Sequence, residues 1–222
     1  MSHARAHFLR ESAAQASAGD SGLENCNAYE LMLMKMAEDR RRLKQIQSVE
    51  HKAVVKREIL PDYAPWVDGV LAAGKGGQDE VLVTVMLWRI DAGDYSGALD
   101  IAEYALAHGL TMPDRFGRTT ATVVAEEIAE AAKRTRDAGQ PFDLPTISYV
   151  IELTAKADMH DQVRAKLHKE AGLLLSASDP VAAVEHLRRA QQLHDGAGVK
   201  KQIEKLDRTI KNMATPPDSG TA

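Results

Sequence analysis

The sequence predicts an all-α protein: a long N-terminal helix followed by stacked helical hairpins. Three observations carry that prediction. Residues 25–60 contain no Pro or Gly and place apolar residues at helical spacing. Aromatics are only 5% of the chain while Ala and Leu abound, which favours helices in close contact over a β-sandwich. Beyond Pro61, breaks marked by Gly or Pro cut the chain into helix-length pieces.

In chain order, residues 1–24 are rich in Ser, Ala and Gly and read as a flexible arm with a short helix over 4–18. The long helix over 25–60 opens at Asn25 or Asn27 and stops at Pro61. A short helix begins near Asp62 or Pro65 and runs to Ala73, with Trp66, Val70 and Ala73 on one face. The β-branched run Val81–Val85 alone fits a strand, but the spacing Val81, Val85, Trp88 fits a helix over 79–91. A Gly93-Asp94 turn then leads to a helix over 95–108, in which Ala98, Ala102 and Ala105 permit close approach. That turn followed by small residues resembles half of a tetratricopeptide repeat, so the fold is tetratricopeptide-like in part. Further helices are predicted over 120–137, 145–157, 161–177, 180–194 and 197–212. The implied organisation is an arm (1–24), the long helix (25–60), a hairpin domain (61–139), C-terminal hairpins (140–211) and a disordered tail (212–222).

At 222 residues the chain is long enough to bury a sizeable core. A single cysteine, Cys26, excludes a disulfide framework or a Cys-based zinc site within one chain. No apolar run is long enough to span a bilayer and the N-terminus has no signal-peptide pattern, so no membrane is expected and the expected compartment is the cytoplasm. The net charge of −4 hides an asymmetry. Residues 1–57 hold ten Lys/Arg against seven Asp/Glu, whereas the remainder is acidic. This pattern implies a localised basic surface on an acidic body.

That surface falls on the long helix. Its second half carries Arg40, Arg41, Arg42, Lys44, Lys52, Lys56 and Arg57 with only Glu50 of opposite sign among them. Phosphate binding needs clustered cations rather than a fixed spacing, so these residues are the candidate anion or nucleic-acid contacts. A solvated helix face is the competing reading. Arg115 and Arg118, on a loop marked by Pro113 and Gly117, form a second, weaker candidate. No aromatics interleave with either group, so base stacking on single strands is not indicated. The first half of the helix is apolar nearly all round. Tyr29, Met32, Leu33, Met36 and Leu43 are the candidate oligomer contacts. Asp39 and Glu50 interrupt the heptad set by Tyr29, Met36 and Leu43, which disfavours a long two-stranded coil.

Catalytic candidates are weaker, and no catalytic residue is assigned. Gly69 to Gly76 approaches a P-loop, but it follows no strand and lacks the Ser/Thr after Lys75 that would hold magnesium. Asp91 with Asp94, and Asp158 with Asp161, are the closest carboxylate groupings. The second pair is better explained by helix N-capping. The histidines lack ligand spacing, so no metal site is expected and no cofactor beyond magnesium for an endonuclease.

Three stretches are more specific: PWVDGVL at 65–71, GKGGQDEVLVTVMLWRIDAGD at 74–94 and YALAHGLTMP at 104–113. With the flanking text, over residues 25–210, they resemble the phage small terminase subunit family, in the form known as the terminase endonuclease subunit of temperate contractile-tailed phages. The resemblance implies viral genome packaging in the host cytoplasm. It implies binding of phage double-stranded DNA at the packaging site, self-assembly into a ring, and delivery of DNA to a terminase large subunit with ATPase and nuclease domains. Family members often end in a Lys/Arg-rich tail, whereas this chain ends in ATPPDSGTA, which moves the DNA contact to residues 40–57. Two alternatives stay open: a magnesium-dependent endonuclease, and a tetratricopeptide-like adaptor that binds only protein.

Overall fold

A computed structural model describes residues 2–16, 23–113 and 117–214. These residues form eleven α-helices and no strand. The chain divides into two compact units, Met1–Val124 and Ala125–Ala222.

In the first unit, the predicted long helix is two helices. α2 covers Leu23–Gln45 and α3 covers Val49–Ile59. The physical reason is Ser48. It takes an extended backbone, and its hydroxyl accepts the His51 N–H at 3.2 Å, which starts a new helix inside the Gly- and Pro-free run. The chain then runs back along α2. Arg42 pairs with Glu58 at 3.1 Å, the Tyr63 hydroxyl donates to Asp39 at 2.6 Å, and Lys35 pairs with Asp62 at 3.1 Å. The 42–58 pair lies inside both of the others, so α2 and the strip from residue 49 to 63 run antiparallel.

The N-terminal arm holds the expected short helix, but that helix is packed on the body rather than free. His3–Ala16 is a helix, α1, with Leu9, Ser12 and Ala13 buried, and it lies against α4 (Ala64–Ala73) and α2. Gly69 makes the close approach possible, because a Cβ there would meet the Arg10 carbonyl oxygen at 2.3 Å. The remainder of the arm, residues 17–22, lies outside the described residues.

α5 (Glu80–Ala92) is the centre of this unit. Val81 to Met86, Trp88 and Ile90 are all buried, so the β-branched run is a core helix. Burial on every side removes the polar face by which periodicity tells a helix from a strand. Asp79 caps its start, and Gly93 at φ 85° ends it. Asp94 then caps α6 (Tyr95–Ala107), whose Ala98, Ala102 and Ala105 are fully buried.

α7 (Thr120–Asp137) begins in the first unit and continues into the second. There α8 (Leu144–Leu153), α9 (Asp161–Leu175), α10 (Pro180–Leu193) and α11 (Lys200–Ala214) follow. α9 and α10 pair most extensively, and α11 lies along α10. Ala183, Val184, Leu187, Val199, Ile203 and Leu206 form the core of the α10–α11 contact. Three of the predicted tail residues, 212 to 214, belong to α11; residues 215–222 lie outside the described residues. Among the described residues no helix is long and apolar enough to cross a membrane.

Candidate nucleic-acid interface

The α2–α3 hairpin gathers the basic run but does not expose all of it. The Arg40 guanidinium turns onto α5, donating to Glu80 at 2.8 Å and Thr84 at 2.7 Å. Arg42 bridges to Glu58, and Lys56 pairs with Asp91. These three side chains fasten the hairpin to itself and to α5. Arg41, Lys44 and Arg57 are exposed and Lys52 half-buried, and none has an ion pair among the described residues. Glu50, also exposed, is the one acid that opposes them between residues 40 and 57. Arg118 is half-buried and holds a contact within the chain. Arg115 lies outside the described residues.

The apolar half of α2 is redistributed in the same way. Met32, Met36 and Leu43 are buried in the chain's own core, which corrects their assignment as contacts for a second copy. Tyr29 is half-buried, stacked on Trp66 at 5.7 Å, with its hydroxyl accepting the Glu80 N–H at 3.0 Å. Leu33 is half-buried. The apolar residues that face outward are Leu31 and Met34, 61% and 69% exposed. The cause is helical phase. Positions 32, 36, 39 and 43 share the inward stripe, and 31, 34, 38 and 41 the outward one. The heptad seam is real, but it faces this chain's body.

That phase also explains the acid on the seam. Asp39 accepts from Tyr63 and from Lys35 at 3.0 Å, so its carboxylate is satisfied where it is buried. Burial and the Asp39 hydrogen bond push the Tyr63 phenol well above its ordinary value. Asp79 is a second buried acid. It accepts the Trp66 indole N–H at 2.8 Å and the Leu82 N–H at 2.9 Å, and desolvation raises its carboxyl. Asp39 ties α2 to the turn before α4, and Asp79 ties α4 to the start of α5.

The catalytic candidates resolve into structural parts. The P-loop-like segment is the end of α4, closed by Gly74 at φ 61°. Asp91 holds Lys56, and Asp94 accepts the Gly97 N–H at 3.1 Å as the cap of α6. The cap of α9 differs from expectation. His160 occupies the N-cap without a side-chain bond, and Asp161 is the first helical residue, favoured there by the helix dipole. Among the described residues no three His, Cys, Asp or Glu side chains group closely enough to hold a metal ion.

One feature was missed from sequence. His168 on α9 and His186 on α10 meet with their Nδ1 atoms 3.0 Å apart. Burial and the neighbouring His186 lower His168 to about 4, and burial lowers His186. The pairing follows from the turn centred on Ala177, two residues before the centre of the Ser178–Pro180 turn read from sequence, which would have set position 168 against 190.

The family model for the phage small terminase subunit matches residues 33–162. The chain belongs to the phage small terminase subunit family. It is 51% identical over 217 residues, 97% of this chain and 88% of the relative, to the "Terminase, endonuclease subunit" of Escherichia phage P2. It is 28% identical over 208 residues, 86% of this chain and 74% of the relative, to the "Probable terminase, endonuclease subunit" of Haemophilus phage HP1. No solved structure matches it. The matched region spans the basic hairpin, the α4–α6 core and α7 to α8. The three specific sequence stretches supply the joints of that core: Trp66 to Asp79, and Gln78, whose side-chain amide exchanges two 2.8 Å hydrogen bonds with the Thr111 backbone.

Proposed function

We propose that this small terminase subunit is the DNA-recognition and assembly component of a packaging machine in the host cytoplasm. It binds phage double-stranded DNA at the packaging site, assembles with copies of itself, and presents the DNA to the terminase large subunit. Cohesive-end cutting and genome packaging into procapsids then proceed on the large subunit. The observation that carries the reading is the α2–α3 hairpin, which offers Arg41, Lys44, Lys52 and Arg57 free of ion pairs, with Glu38 and Glu50 the exposed acids nearest them in sequence that have no ion pair among the described residues. A few phosphate contacts per copy are weak, and repetition around a multimer converts them to avidity. Leu31 and Met34 lie on the same helix and supply the outward apolar contact for self-assembly.

A cut made by this chain itself is the competing reading, because the names of both relatives carry "endonuclease". The candidate pair Asp91 and Asp94 is engaged elsewhere, Asp91 by Lys56 and Asp94 by the start of α6. This supports a non-catalytic role. Two measurements test the proposal. Light scattering should give a multimer that Leu31→Asp with Met34→Asp breaks into smaller species; a monomeric wild type overturns the assembly role. Purified chain with cohesive-end DNA and magnesium should bind without cutting. Cleavage that disappears in a folded Asp91→Asn or Asp94→Asn variant overturns the non-catalytic role.

A further inference from the structure

The second unit carries a separate stripe of unspent cations. α11 is strongly amphipathic: Ile203 and Leu206 are buried against α10, and Ile210 is partly buried there. On its outer face Lys201, Lys205 and Arg208 recur at i, i+4 and i+7, so they form one row about 10 Å long. All three are exposed, and none has an ion pair among the described residues. The acids nearby are mostly consumed. Both Asp207 oxygens accept from Arg188, at 2.9 and 3.0 Å, and Asp195 faces Lys200 at 3.5 Å. Glu204 is the acid left on the helix.

We propose that this α11 row is a second contact surface for the sugar-phosphate backbone of duplex DNA, independent of the α2–α3 hairpin. The proposal rests on the reading of the chain as a DNA-binding subunit. The chemistry of the row selects the ligand. Two of its three members are Lys, a residue depleted at protein interfaces, and no aromatic stands within it to anchor a protein partner. A polyanion needs only such a row of free cations, and binds it with little sequence preference. α11 would therefore hold flanking DNA without reading it. Arg188 makes the row possible by neutralising the acid that lies beside Arg208 in sequence.

The test is a salt titration of the full-length protein on a duplex of arbitrary sequence. It compares wild type, Lys201→Gln/Lys205→Gln/Arg208→Gln and Arg41→Gln/Lys44→Gln. The α11 positions are exposed, and circular dichroism checks that the triple variant folds. The proposal predicts that the triple variant binds about ten-fold more weakly near physiological salt, with a log–log salt slope shallower by about 2 to 3. A folded triple variant with wild-type affinity and slope overturns it, even if that variant has lost binding to the large subunit, which would make the row a protein contact. If that happens while the hairpin variant is impaired, the proposed function stands and only the α11 contact falls. Wild type that fails to bind any duplex overturns both.

Discussion

Gly69→Ala sets two well-measured effects against each other. In an exposed helix interior, Ala is favoured over Gly by about 1 kcal/mol. At Gly69 the added Cβ falls 2.3 Å from the Arg10 carbonyl oxygen and 2.8 Å from its Cα. These are backbone atoms, so no side chain can turn aside, and α1 must lift by about 1 Å to restore ordinary contact. Overpacking of this kind costs roughly 1–3 kcal/mol. The cost has a ceiling, because α1 can instead leave its seat and lose only what docking supplies. Docking buries Leu9 and Ala13, and a fully buried Leu contributes roughly 1.5–3 kcal/mol. After the propensity gain, the net destabilisation expected is roughly 0–2 kcal/mol, located at α1. Amide hydrogen exchange should show residues 3–16 losing about ten-fold protection while α5 keeps its own. A variant whose urea midpoint rises with α1 protection intact would refute the reasoning.

Two further outcomes follow from the second unit. The His168–His186 pair should make stability fall in acid. The folded pKa of His168, about 4, lies below the ordinary 6.5, so the unfolded chain takes up the proton first. The contribution is complete above about pH 6.5 and is lost as pH falls toward 4, and His168→Asn should flatten that part of a urea-midpoint profile. Arg136 holds the buried carboxylate of Glu170 through bonds of 2.9 and 3.2 Å. Arg136→Ala strands that charge and should cost about 3 kcal/mol by denaturant titration, with Arg136→Lys recovering part of it.

The helical class was legible because Gly and Pro punctuate the chain where helices end. Gly74, Gly93 and Gly139 all take left-handed backbone at or just beyond a helix end, and Pro145 and Pro180 sit in first turns. The division of α2 from α3 was not read, because its signal is one hydroxyl: Ser48 caps a helix inside an otherwise uninterrupted run. The site was legible as a basic segment but not residue by residue. Arg40, Arg42 and Lys56 are spent on Glu80, Glu58 and Asp91, acids 16 to 40 positions away in sequence, which no local pattern reveals. The apolar contact was displaced to the neighbouring stripe for a similar reason. Periodicity finds the stripe with the largest side chains, and here that stripe, Met32, Met36 and Leu43, lies inside its own chain.

The central claim is that the free cations of the α2–α3 hairpin meet DNA. The direct measurement is the affinity of wild type and of Arg41→Glu with Lys44→Glu for packaging-site DNA, titrated over salt. Both positions are exposed, so the fold should persist. The account predicts weaker binding and a log–log salt slope shallower by about 2 for each copy engaged. A folded variant with unchanged affinity and unchanged slope would contradict it, and the basic end of α2 would then face only solvent.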